Sequence, residues 1–191
     1  MAVAWSGRSA LKNLTRAESL PTQPGLLGGR ALYAGFYANE LLLRLLPEAD
    51  PHPRLYRIYQ FLLEELAVQT RSGGGDVEPQ LRRFELGLLG ELGYGLCLDR
   101  TAGGDAVEAD AGYHFVAGLG LVPVEAGGNS PGEPLRGRDL LAMAANDYRD
   151  VQVRRCAKRL LRAALAEQLG PRPLRSRELF RAPAKPDQQK S

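Results

Sequence analysis

One amphipathic run, Val151 to Leu169, limits the fold more than any other feature of this sequence. Val153, Cys156, Ala157, Leu160, Leu161, Ala164 and Leu165 recur at helical spacing, and Arg155, Lys158, Arg159 and Arg162 occupy the opposite face at i, i+3, i+4 and i+7. A helix with an apolar stripe of that length needs other elements to cover it. Gly170 and Pro171 end the run.

The chain supplies covering helices. Tyr33, Phe36, Tyr37, Ala38, Leu41, Leu42 and Leu45 form a stripe that Pro47 stops, and the three aromatic residues read as core. A second helix follows Pro53, with Leu55, Ile58, Tyr59, Leu62 and Leu66 on one face. Ser72-Gly73-Gly74-Gly75 separates it from a third, which has Asp76 and Glu78 at its positive end and Pro79 in its first turn. Leu81, Phe84, Leu88 and Leu92 make the core stripe of that helix, and Gly93 is placed to stop it. Helical pattern also marks Leu140, Leu141, Met143 and Ala144, and a short turn after Ser176 that includes Leu179 and Phe180.

The remaining segments have a different character. Over 96–128, glycine-rich turns flank Tyr113-His114-Phe115-Val116 and a second apolar run at 119–124, the pattern of a small hairpin. Alternation puts Tyr113 and Phe115 on one strand face, where burial is favoured over base stacking. Residues 4–20 suggest a strand pair or extended segment, followed by a linker at Pro21 and Pro24-Gly25. Residues 182–191 have the polar, proline-interrupted composition of a disordered tail. The expected fold is mainly α, a helical body with a small β excursion.

Charge is unevenly spread. From Arg149 onward there are 12 Lys/Arg against 4 Asp/Glu, a local net of +8, whereas the preceding residues carry 13 against 18, a net of −5. Clustered positive charge suits a polyanion, because each neutralised phosphate releases a counterion. The competing reading is a solvated helix face with a loose basic tail.

Chemistry-bearing constellations are missing from the sequence. His52 and His114 fall in segments of different structure, with no serine or cysteine signature beside either. Gly73-Gly74-Gly75 lacks the following lysine and hydroxyl of a phosphate loop, and Pro123 replaces the third glycine after Gly118 and Gly120. Cys97 and Cys156 form no CxxC, which points to a reducing cytoplasm and away from a disulfide scaffold. Arg8 and Lys12 interrupt any signal-like start, and Arg44 breaks a Leu41 to Leu46 run too short to span a bilayer. A cytoplasmic protein that is not an enzyme and uses no cofactor is therefore expected.

Three segments, taken together and in order, resemble the RecO family. They are Gly35-Phe36-Tyr37-Ala38-Asn39-Glu40-Leu41-Leu42-Leu43-Arg44-Leu45-Leu46, with Pro51-His52-Pro53 beyond; Leu81-Arg82-Arg83-Phe84-Glu85-Leu86, continuing to Leu92-Gly93-Tyr94-Gly95; and Gly170-Pro171-Arg172-Pro173-Leu174-Arg175-Ser176-Arg177-Glu178-Leu179-Phe180. Each alone is only moderately specific, and the resemblance covers about residues 5–182.

The resemblance implies a recombination mediator: an N-terminal OB-fold barrel, a helical body and an excursion that often binds zinc. Such proteins bind single- and double-stranded DNA, RecR and the C-terminal tail of single-stranded DNA-binding protein, anneal strands and help load RecA. It further implies a division into a barrel remnant (1–20), a helical body (21–96 and 129–182), the excursion (97–128) and a tail (183–191), nucleoid-associated in the cytoplasm. Most of the barrel, roughly sixty residues by the size of such a domain, is expected to be missing, as a late start codon or truncated gene model would leave it. Thr101 stands where zinc-type members place a cysteine, and no cysteines follow between Ala102 and Pro134, so a zinc-free branch is implied. The alternative is a helical interaction module that lost DNA binding with its barrel.

Site residues follow from both arguments. Arg155, Lys158, Arg159 and Arg162, with Arg172, Arg175 and Arg177, are the candidate phosphate contacts, extended by Arg8, Lys12 and Arg16. The partner tail is acidic and ends in an apolar residue with a free carboxylate, so its receptor needs an arginine beside an apolar groove. The first arginine of the second segment, Arg82, is the residue the family associates with the tail. Leu86 and Leu89, at i+4 and i+7 from it, are expected to form the groove on a face separate from the core stripe.

Overall fold

Helix packing begins with α1 (Gly29–Leu45), α2 (Pro53–Arg71) and α3 (Glu78–Glu91), which pack against one another in a computed structural model describing residues 2–7, 13–18, 26–48, 50–124 and 132–180. The expected helices form where the sequence placed them. Pro53 sits in the first turn of α2, and Pro79 in that of α3. Asp76 Oδ1 accepts from the Glu78 amide at 2.9 Å, satisfying one of the orphan donors there. At the other end Gly93 takes φ +85°, and the Tyr94 amide reaches back to the Leu89 carbonyl at 2.8 Å.

The long basic run is α5 (Val151–Leu169), with Asp150 accepting from the Gln152 amide as its cap. Its apolar stripe lies in the core: Ala157, Leu161 and Leu165 are fully buried with Leu41, Leu66, Leu88 and Leu89. α4 (Gly137–Ala144) packs against α5, and a 3-10 helix (Arg175–Phe180) closes over α1. Hydrogen bonds from the second half of α1 help hold that closure. Glu40 accepts from the Arg175 amide, the Ser176 amide and the Ser176 hydroxyl at 2.9, 2.9 and 2.6 Å. One turn later, Arg44 donates to the carbonyls of Leu169 and Pro173.

A small antiparallel sheet interrupts the helices. Its order is β4 (Gly120–Pro123), β3 (Gly112–Val116), β5 (Leu135–Arg136), with Phe115 opposite Leu121 and Tyr113 opposite Leu135. Tyr113 is buried and its hydroxyl accepts from the Glu108 amide at 2.7 Å, as the alternation suggested for a core aromatic. The third strand, two residues long, is too short to leave a period in the sequence. Phe36 departs from the expected core and is 49% exposed. It lies across α1 from Ala34, Ala38 and Leu41, which take the buried arc.

Ahead of the helices, β1 (Ala2–Ser6) and β2 (Asn13–Glu18) pair antiparallel with a register shift between Ala4 and Trp5. A strand pair preceding a helical body is consistent with a remnant of an OB-fold barrel. The proposed tail at 183–191 lies outside the described residues.

Candidate docking cleft and basic surface

Where α1, α3, α5 and the 3-10 helix meet, they leave a cleft of about 320 Å³. Val77, Leu81 and Phe180 give it apolar walls. Arg30, Arg82, Lys158, Arg162 and Arg177 bring five cations, against Glu78 as the only acidic lining residue among the described residues. Phe180 is held by an edge contact with Tyr33, centroids 5.9 Å apart, and by the Arg30 guanidinium 5.9 Å from its ring centre.

Arg82 lines this cleft from a largely buried position. It is 7% exposed, and its Nη1 lies 2.8 Å from Glu85 Oε2. Glu85 is completely buried and its Oε1 accepts from the Tyr37 hydroxyl at 2.6 Å. Burial pushes the Glu85 carboxyl up, opposed by the Arg82 charge and the Tyr37 hydrogen bond. Tyr37 is raised well beyond the usual phenol range, by burial first and then by Glu85.

The expected groove also moves. Leu89 is fully buried in the core, and Leu86 is half-buried against it. Their helical wheel position is right, but α3 packs against α1, α2 and α5, so a face that would be open on an isolated helix is covered. Leu81 and Val77, at the N-terminal end of α3, supply the apolar surface beside Arg82 instead.

The basic stripe of α5 divides between two surfaces. Lys158 and Arg162 face the cleft, where Lys158 donates to Glu78 at 2.8 Å. Burial works against the Glu78 charge, but the Lys158 hydrogen bond and charge hold its carboxyl below the ordinary 4.5. Arg155 and Arg159 border a separate polar notch with Glu133 and Asp139, and Arg159 Nη1 pairs with Glu133 at 2.8 Å. Arg155 and Arg162 have no ion-pair partner among the described residues.

The other basic candidates are dispersed. Arg172 is exposed ahead of the 3-10 helix and Arg175 is exposed at its first position, and Arg177 is half-buried in the cleft. Arg16 pairs with Glu18 at 2.6 Å on β2, which makes no substantial contact with the helical body. It therefore does not extend the α5 stripe. Arg8 and Lys12 lie outside the described residues.

Cysteine chemistry is limited in this arrangement. Cys156 is buried, and burial pushes its thiol up to about 11, with Asp139 adding to the effect. Cys97 is exposed. Among the described residues no three His, Cys, Asp or Glu side chains gather closely enough to hold a metal.

The sequence model of the family described as Recombination protein O C terminal matches residues 28–178. The chain belongs to the RecO family. DNA repair protein RecO of Pseudomonas aeruginosa is 46% identical over 176 residues, covering 92% of this chain and 72% of the relative. That of Stutzerimonas stutzeri is 46% identical over 174 residues, and that of an Azoarcus species 41% over 179, covering 70% and 71% of the relatives. Membership places this chain among DNA-repair proteins. No described helix is long and apolar enough to cross a membrane.

The RecO-like segments also acquire a spatial meaning. Tyr37 comes from the first, Leu81 and Arg82 from the second, Arg177 and Phe180 from the third, and all line the one cleft. Sequence reasoning missed Arg30 in the cleft and the Glu40 hydrogen bonds to the start of the adjoining 3-10 helix. Nothing in the sequence singled out Glu85, three residues after Arg82. Only the long-range partner Tyr37, 48 residues away, distinguishes Glu85.

Proposed function

We propose that this chain acts as a recombination mediator that docks the acidic C-terminal tail of single-stranded DNA-binding protein in the cleft, while exposed basic residues contact DNA. The observation that carries this is the convergence of all three RecO-like segments on one apolar, cation-rich cleft. A tail ending in an apolar side chain and a free carboxylate matches both halves of that lining: apolar walls for the side chain, guanidinium groups for the carboxylate. Arg82 is the floor of the site, and Arg162 and Arg177 are its accessible cations; Leu86 and Leu89 support it from within α3. In this reading the chain also engages RecR, helps load RecA and anneals strands, without catalysis or a cofactor. Residues 1–20 serve as a barrel remnant, 21–96 and 129–182 as the helical body, and 97–128 as an excursion without zinc, in a cytoplasmic, nucleoid-associated protein.

DNA contact falls to Arg155, Arg159, Arg172 and Arg175, with Arg8, Lys12 and Arg16 on the N-terminal segment and Lys158, Arg162 and Arg177 shared with the cleft. The reading in which only partner docking persists draws on Lys158 and Arg159 being spent on Glu78 and Glu133. Salt separates the two, because phosphate contacts give a steep dependence of affinity on ionic strength and a docking module gives nearly none.

The test is fluorescence anisotropy of a labelled tail peptide. Combined Arg162→Ala and Arg177→Ala substitution is expected to weaken it by about 1–3 kcal/mol, the range for losing charged hydrogen-bond partners, with the thermal midpoint unchanged. Equal affinity for the substituted and parent proteins would remove the cleft from the account.

A further inference from the structure

Behind the cleft lies a pairing that is incomplete in a particular way. A carboxylate in contact with a guanidinium ordinarily settles into a fork of two parallel N–H···O bonds. Glu85 does not do so here: the Tyr37 hydroxyl donates to its Oε1 at 2.6 Å and orients the carboxylate, and no aligned N–H···O bond from Arg82 reaches it among the described residues. Arg82 Nη1 comes to 2.8 Å from Oε2, but the approach is poorly aligned and Oε2 makes no hydrogen bond among the described residues. Arg82 Nε is buried with no hydrogen-bond partner among the described residues. At 7% exposure, Arg82 has little water to satisfy what Glu85 withholds. A buried donor left in that state carries an unmet demand for an acceptor.

We infer that Tyr37 and Glu85 are positioning residues that hold Arg82 half-neutralised at the floor of the cleft, so that the carboxylate of an incoming acidic peptide completes its pairing. This rests on the docking role proposed above. Glu85 is fully buried and touches no ligand, and the Tyr37 hydroxyl is committed to Glu85. The pair acts through Arg82.

The arrangement fixes two opposite signs. Tyr37→Phe removes the hydrogen bond that orients the Glu85 carboxylate, which then turns to engage Arg82 through both oxygens and competes with the ligand. Glu85→Gln removes the competing charge and leaves Arg82 in greater need of a partner, so the ligand gains. Both substitutions disturb a buried network and both lower the thermal midpoint. A merely structural role therefore moves the two affinities the same way.

The experiment uses the full chain and a fluorescein-labelled acidic peptide ending in phenylalanine, prepared with a free C-terminal carboxylate and as the amide. Tyr37→Phe is expected to weaken the free acid by roughly three- to tenfold, the worth of one net hydrogen bond, and to leave the amide unchanged. Glu85→Gln is expected to tighten the free acid by a similar factor. Should Glu85→Gln not fold, the free-acid and amide comparison on Tyr37→Phe decides alone. Loss of affinity in both variants, or an equal effect of Tyr37→Phe on acid and amide, overturns the inference while leaving the docking role intact. Failure of the parent protein to bind the free acid overturns the docking role, and the inference with it.

Discussion

The N-terminal strand pair and the helical body solve the burial problem differently. All six residues of β2 are exposed, and Trp5 and Leu14 show 61% and 65% of their surface. In the body, Leu41, Leu66, Leu88, Leu161 and Leu165 show none. Two strands offer one face each and, among the described residues, no other element packs substantially against them, whereas the helices of the body cover one another's stripes. The difference teaches where this chain's own stability resides, and why the cleft is formed within it: its walls belong to helices anchored in that core and to Val77, which caps one of them.

The largest effect should come from the body. Phe84 is 1% exposed at the centre of α3. Phe84→Ala is expected to cost about 3–5 kcal/mol, lost transfer energy plus the cavity, read from urea unfolding by far-ultraviolet circular dichroism. A cost near zero would mean the helical core is not what holds the fold.

A smaller effect should come from the clasp that shapes the cleft. Glu40→Ala leaves two amides and a hydroxyl of the 3-10 helix unpaired, at a cost of about 1–2 kcal/mol for a half-exposed site. The loss should also have a pH signature. Burial works against the Glu40 charge, but the hydrogen bonds from Ser176 and Arg175 prevail and hold its carboxyl below the ordinary 4.5. A depressed carboxyl stabilises the folded state above its unfolded pKa, and that contribution disappears as pH falls through the folded value. The stability gap between the parent and Glu40→Gln should thus be constant near neutrality and narrow as the pH drops below about 4.5. A gap that widens in acid would contradict this role.

The smallest effect belongs to the strand pair. Trp5→Ala removes a large side chain that is already mostly in water, so the unfolding free energy should change by no more than about 0.5 kcal/mol. A loss approaching that of Phe84→Ala would show that the pair has a packing partner and would end the contrast.

Much of the body was legible because one-dimensional periodicity carries it. Val151–Leu169 is bounded by Asp150 and Gly170, with local capping chemistry at each end, and Pro53 and Pro79 mark helix starts in the same way. The cleft was legible only in part. The resemblance singled out Arg82, but helical spacing alone offered Leu86 and Leu89 as its neighbours, since a wheel does not register that three other helices close over α3. Likewise the i, i+3, i+4, i+7 stripe is a real face of α5. Its division between the cleft and the Glu133 notch depends on elements that are distant in sequence. Glu85 illustrates the limit most clearly: nothing local tells a buried carboxylate bridging Tyr37 and Arg82 from a solvated one.

The most direct test of the docking account compares two ligands on the unaltered protein. A labelled tail peptide is titrated as the free acid and as the C-terminal amide, at the same ionic strength. The account predicts that the free acid binds roughly tenfold or more tightly, the range expected when a charged pairing with guanidinium is lost. Equal affinity of the two peptides would show that the cleft cations do not read the terminal carboxylate.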